Sequence, residues 1–237
     1  MCFGMHVIAT AVIAAKATRE QELRLLVPIA KGEHITTLAL SESGSGVHFY
    51  LPRSELRQTS EGFEITGKKQ FVTNAGYADS YVVSRIGGDD SEFSSVEFSC
   101  VAVERDEFGI TVSGRWEGLG MRGNASRPIT FNQVKVHQAD LLGEVGDQIW
   151  YVFEVVAPYF LTAMAGTYLG IALAALDIAV EHVKSRNYES LRESLADVPV
   201  IQHQIAEMWA KVEQPRQLVY RAARLGDAGD PTALTAI

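Results

Sequence analysis

The chain has 237 residues, a formal net charge of −8, 47% hydrophobic residues and 21% charged ones. That length can bury a sizeable core in one or two domains, and the balance is ordinary for a globular protein. An acidic chain without a Lys/Arg run argues against a nucleic-acid partner, whose phosphates need clustered cations. Cys2 and Cys100 lie far apart, and His34, His48, His137, His182 and His203 are scattered; neither set has ligand spacing, so no metal site is expected. Free thiols suit a reducing, cytoplasmic setting.

Residues 3–16 read as a mostly apolar helix. The stretch imitates a signal peptide but lacks a basic region ahead of the apolar run, and Ala15-Lys16-Ala17 is a poor cleavage site. Thr18-Arg19-Glu20-Gln21 is a capping box, in which Thr18 caps the next helix and Gln21 reaches back. Leu23, Leu26, Val27 and Ala30 follow at helical spacing, and Gly32 stops the helix.

From Ile35 to Val136 the signals are short β runs separated by turn residues. Strands are expected at 35–41, 62–71, 79–86, 97–104, 109–114 and 128–136, spaced as in a small barrel or sandwich. Two stretches here carry chemistry. In Leu38-Ala39-Leu40-Ser41-Glu42-Ser43-Gly44-Ser45-Gly46-Val47, a short apolar strand runs into a Gly/Ser loop that lets backbone N–H groups approach an anion; a flexible turn is the plainer reading of such a loop alone. In Gly67 to Val83 the pattern is strand, tight turn, strand. Phe71 and Thr73 lie two apart and on a strand would share a face. An aromatic plate beside a hydroxyl suits covering a flat heteroaromatic ring and bonding its edge. Gly76 supplies a positive φ in the turn. A hairpin with a half-buried Phe is the plainer reading of this stretch alone.

From about Gly146 the pattern is helical. One helix is expected over 148–187, started or kinked by Pro158 and rich in Ala and Gly that admit close neighbours. Ile149 to Ala179 comes closest to a membrane span, but Glu154, Pro158 and Asp177 interrupt it, so no span is expected. Residues 188–200 read as a loop. A second helix runs from about Val200 to Gly226, with a kink predicted at Pro215. His203 and Glu207, at i and i+4, form a helix-surface contact.

In order and spacing, the two β stretches resemble the acyl-CoA dehydrogenase family of flavoproteins. A third segment agrees: Gly118-Leu119-Gly120-Met121-Arg122-Gly123-Asn124, then Ile129 to Val136, then Leu141-Leu142-Gly143-Glu144-Val145-Gly146. The resemblance implies an α+β fold in three parts: the end of an N-terminal helical domain (1–33), a central β-barrel domain (34–145) and the start of a C-terminal long-helix bundle (146–237). Earlier and later helices of the family are not in this chain.

The resemblance also implies FAD between the β domain and the C-terminal helices. By motif, Ser41 offers its hydroxyl near the flavin N5, and Leu38 and Leu40 line the ring through their backbone. Phe71 stands where the family has a flavin-covering Trp, and Thr73 where it has a flavin-contacting Thr. Arg186 and Gln204 match residues that reach FAD from the bundle; a helix-end contact for Arg186 and an ordinary polar surface role for Gln204 are the alternatives. Val47 falls at a substrate-binding position. Implied partners are an acyl-CoA substrate, electron-transfer flavoprotein or a similar acceptor, and further subunits of a homo- or hetero-oligomer. The family's reaction needs a Glu base. Its early-helix positions fall on Phe160 and Leu161, which cannot abstract a proton, and Glu154 lies two turns earlier, so the catalytic residue is unassigned. Three readings stay open: an acyl-CoA dehydrogenase or its non-catalytic partner, a flavin-dependent monooxygenase on the same fold, suggested by Ala196 to Gln202, and an assembly module without catalysis. A further expectation is a large exposed apolar face, or oligomerisation through it.

Overall fold

The computed structural model describes residues 1–44, 55–60, 62–88, 98–188, 190 and 193–233. Residues 1–160 form one compact unit and 161–237 a second.

The first unit opens with α1 (Cys2–Ala15), which buries Ile8, Ala9, Val12 and Ile13 on one face. Helix α2 (residues 19–30) begins at the expected capping box: the Gln21 amide donates to Thr18 Oγ1 at 3.2 Å, and the Thr18 amide to Gln21 Oε1 at 3.0 Å. The Gln21 side chain does more than cap. Its Nε2 donates to the carbonyls of Ala139 and Leu141, both at 2.8 Å, which ties α2 to the far end of the β region. Gly32 follows at φ +75°, as a helix stop requires.

Two helices widen in the same way. Glu22–Leu26 in α2 and Tyr151–Val156 in α3 (residues 148–156) are π-helical, and each run ends just before a proline, Pro28 and Pro158. A proline has no N–H for the carbonyl four residues back, and its ring collides with it. Widening the preceding turn relieves that collision while the helix continues. The expected start at Pro158 is met to within one residue, since the regular α-helix opens at Ala157 where the widened run ends.

All six expected strands are present, each end within two residues of its expected position. They are β1 (Thr36–Ala39), β3 (Gly62–Val72), β4 (Ser80–Gly88), β5 (Phe98–Glu104), β6 (Ile110–Val112) and β7 (Arg127–His137). Two more were not expected. Strand β2 (Glu55–Thr59) is too polar to show an apolar alternation, and β8 (Leu141–Leu142) is too short. Together they make one eight-stranded sheet, ordered β6-β7-β3-β2-β4-β5-β8, with β1 parallel to β4. Its end strands β6 and β8 do not pair with each other, so among the described residues the strands form a continuous sheet and not a closed barrel. Phe63, Ile65, Tyr81, Ile129, Phe131 and Val134 fill its core.

The second unit is a helix pair: α4 (Ala157–Ser185, opening at the unit boundary) and α5 (Pro199–Asp227). Leu169, Leu176 and Val212 are buried between them. The expected loop is a short hairpin, β9 (Asn187–Tyr188) with β10 (Glu193–Ser194), followed by a 3-10 turn at Leu195–Asp197. Helix α5 continues past Pro215 to Asp227. The His203–Glu207 contact is present at 3.4 Å. By length and composition alone, Tyr151–Ser185 is long and apolar enough to cross a bilayer. The interruptions at Glu154, Pro158 and Asp177 thus do not take it below that length and composition, which core helices of water-soluble proteins also reach.

Candidate functional site

The site grows from a fault in the alternation of β3. Phe63, Ile65 and Lys69 are buried at period two. Continued, that phase would bury Phe71. Instead the register against β7 slips between Lys69↔Ile129 and Val72↔Arg127, so the segment carries an extra residue. Phe71 absorbs it at φ +54° and turns out into solvent, 67% exposed, while Val72 and Thr73 are buried. The shared face expected for Phe71 and Thr73 is therefore wrong: the bulge separates them, and Thr73 lies beyond the strand end. A bulky side chain at positive φ is strained, and here the neighbouring ties hold it there.

Those ties run along the edge of β1. The Gln70 amide donates to the Ser41 carbonyl at 2.7 Å, and Thr37 Oγ1 donates to the Thr73 carbonyl at 2.8 Å. The structure thus brings Ser41 next to the Phe71 backbone, with Thr73 held against the same strand. Leu38 and Leu40 are buried in that strand. Lys69 lies beneath, its ammonium donating to the carboxylate of Glu42 and the carbonyl of Ser84, both at 2.6 Å, and to the carbonyl of Leu40 at 3.2 Å.

The Thr73 hydroxyl belongs to a small polar cluster. It lies 3.0 Å from Ser126 Oγ, and Asn124 Nδ2 donates to Ser126 Oγ at 2.7 Å and to Thr73 Oγ1 at 3.4 Å. The two hydroxyls have two protons between them, and their mutual bond uses one. One donor thus has no acceptor among the described residues.

The turn after Thr73 is pinned from β7. Gly76 takes φ +81°, as expected, and a Cβ there would collide with the Arg127 guanidinium. That guanidinium donates to the Ala75 carbonyl and lies 5.7 Å from the Tyr77 ring centroid. Trp116 meets Phe71 edge-on, centroids 6.4 Å apart, and donates to the Gly120 carbonyl at 2.8 Å. Trp116 and Tyr77 line a cavity of about 500 Å³ with Arg115, Arg122, Arg127 and Asn74, and no carboxylate lines it among the described residues. Burial lifts the Cys100 thiol to about 12, so it is not a nucleophile at neutral pH.

The other expected residues fall elsewhere. Val47 lies outside the described residues. Arg186 and Gln204 are in the second unit, both exposed; the Arg186 carbonyl accepts from the Leu195 amide at 2.7 Å, which closes the β9–β10 hairpin. Glu154 is exposed on the π-helical run. Asn124 ends the first run of the third motif and Ser126 falls in the gap after it; neither is given a role by the sequence. Lys69 had a sequence signal, since a period of two from Phe63 puts it on the inward face.

Residues 37–134 match the middle domain of acyl-CoA dehydrogenase, and residues 161–237 match its C-terminal domain. A short/branched chain specific acyl-CoA dehydrogenase of Bos taurus is 27% identical over 98% of this chain and 52% of its own length. An acyl-CoA dehydrogenase of Bacillus subtilis (strain 168) is 30% identical over 89% of this chain and 54% of its own length. The butyryl-CoA dehydrogenase structure from Megasphaera elsdenii superposes with a TM-score of 0.91 at 26% identity, covering 99% of this chain and 61% of that one. The chain therefore spans about half the length of these curated relatives.

Proposed function

The chain belongs to the acyl-CoA dehydrogenase family, and from that premise we propose that it binds FAD at the β1–β3 corner and serves the α,β-dehydrogenation of an acyl-CoA thioester. The observation that carries the reading is the corner itself. An aromatic plate is held outward at a strained torsion, next to Ser41, with a spare hydroxyl proton at the Thr73–Ser126 pair. Those are the parts a flat ring with a hydrogen-bonding edge requires.

In this reading Phe71 covers one face of the ring and excludes water from it. Ser41 offers its hydroxyl at the ring edge, and the Thr73–Ser126 pair donates its free proton there. Backbone groups of Leu38 and Leu40 line the ring, and Arg186 and Gln204 meet the phosphates of an FAD. Bound FAD supplies the hydride acceptor. No carboxylate of this chain is assigned the α-proton, since Phe160 and Leu161 have no basic group. The acyl-CoA site, with Val47, the transfer of electrons to electron-transfer flavoprotein, the oligomer, the cytoplasmic location and the domain limits 1–33, 34–145 and 146–237 belong to the same proposal.

The test is to load the protein with FAD and add a series of acyl-CoA thioesters without oxygen. Loss of the long-wavelength flavin band, with enoyl-CoA formed, supports the reading. A flavin that binds but stays oxidised with every thioester limits the function to cofactor binding. A protein that takes up no FAD refutes it.

A further inference from the structure

Lys69 is wholly buried and Glu42 nearly so, and together they form an ion pair at 2.6 Å inside the β unit. Such a pair is a poor way to stabilise a fold, because an apolar pair of similar volume is commonly as good or better. Its location is specific, however. Pairing of β1 with β4 ends at Ala39, so residues 40–42 lie beyond that ladder. Each of the three is nevertheless fastened to residue 69 or 70. The Leu40 carbonyl and the Glu42 carboxylate accept from Lys69 Nζ, and the Ser41 carbonyl accepts from the Gln70 amide. Ser84 on β4 takes the remaining ammonium proton, at 2.6 Å. The next residue along β3 is Phe71, turned outward by the bulge.

We infer that the buried Lys69–Glu42 pair is a positioning device for the cofactor corner, fixing the Ser41 backbone against that of Phe71 at the point where β1 leaves the sheet. The inference rests on the flavin reading for its consequence, but its geometry is measurable without flavin. With the pair intact, Ser41 and Phe71 sit at one fixed spacing. Without it, the Gln70–Ser41 bond loses the two Lys69 bonds that flank it, residues 40–42 sample several spacings, and a ring held between them is bound less tightly.

The test uses the full chain carrying Lys69→Met with Glu42→Leu, an apolar pair that leaves no buried charge alone. Three quantities are read: the unfolding temperature, the exchange of the Gln70 amide relative to amides of the core strands, and FAD affinity by titration. The expected result is an unfolding temperature close to wild type, with Gln70 exchanging at least about tenfold faster and FAD bound at least about tenfold more weakly. A double variant in which all three stay at wild type, or in which affinity falls only in step with the unfolding temperature, overturns the inference. Should that variant not fold, Glu42→Gln keeps the side-chain shape and removes its charge; several-fold changes in Gln70 exchange and affinity support the inference, and unchanged values overturn it. A wild-type protein that binds no FAD refutes the flavin reading alone, because Gln70 exchange still shows whether the pair sets the strand edge.

Discussion

The two units solve opposite problems. The β unit takes polar groups inside and satisfies them: Gln21, Thr37, Lys69 and Ser80 are buried and bonded. The helix pair leaves apolar groups outside, with Ile178 68% and Trp209 59% exposed, while few side chains are buried between its helices. A sheet pairs its own backbone across strands distant in sequence and so defines an interior by itself. Two helices satisfy their backbones separately and have a defined interior only along one seam. The corner assigned to the flavin lies where the interior is fixed, and the surface open to further packing lies on the helices.

The largest expected effect sharpens that contrast. Phe131→Ala in the sheet core should cost about 3–5 kcal/mol in denaturant unfolding, whereas Trp209→Ala on α5 should change stability by less than about 0.5 kcal/mol. An equal cost for Trp209→Ala would show that the outer helix face is covered in solution, and the unfolding midpoint would then depend on protein concentration.

A smaller effect separates folding from binding within the β unit. Ser126→Ala removes one of the two hydroxyls that share Asn124 and should cost about 0.5–1.5 kcal/mol. FAD affinity should fall as well, because Thr73 loses the partner that fixes its proton. Titration alongside unfolding reads both, and an unchanged affinity would remove the cluster from the site.

The smallest expected effect is in pH. Burial holds His34 below its usual range, although Asp79 and Glu104 pull the other way. His34 Nε2 lies 2.8 Å from Ser80 Oγ, and Ser80 Oγ in turn donates to Thr36 Oγ1 at 2.9 Å. With the folded pKa depressed, stability from this residue is full above the unfolded value of about 6.5 and is lost as pH falls through the folded value. His34→Gln should flatten the pH dependence of unfolding below about pH 6.5. An unchanged slope would place its source at another group.

Much of the fold could be read from the sequence because its signals are local. The capping box at Thr18, the turn at Gly76 and the strand of Phe63 and Ile65 each follow from neighbours in the chain. What could not be read depends on partners distant in sequence. The bulge at Phe71 exists only against the register of β7, so alternation alone gave Phe71 and Thr73 a common face. Strand β2 is polar and is recruited by β3 and β4 on either side. The ties of Gln21 to Ala139 and Leu141 span about half the chain. Ser41 and Phe71 were named from their motifs, but the residues that hold them, Lys69 and Glu42, emerged only when two strands met.

The left-handed torsion at Phe71 also bears on how this protein would respond to engineering. Glycine adopts that backbone freely, so Phe71→Gly relieves a strain of about 1 kcal/mol while deleting the plate. A campaign that rewards heat resistance alone would drift toward glycine or asparagine at this position and silently disarm the corner. Thermal screens of this protein therefore need a paired selection for ligand retention, or residue 71 held constant.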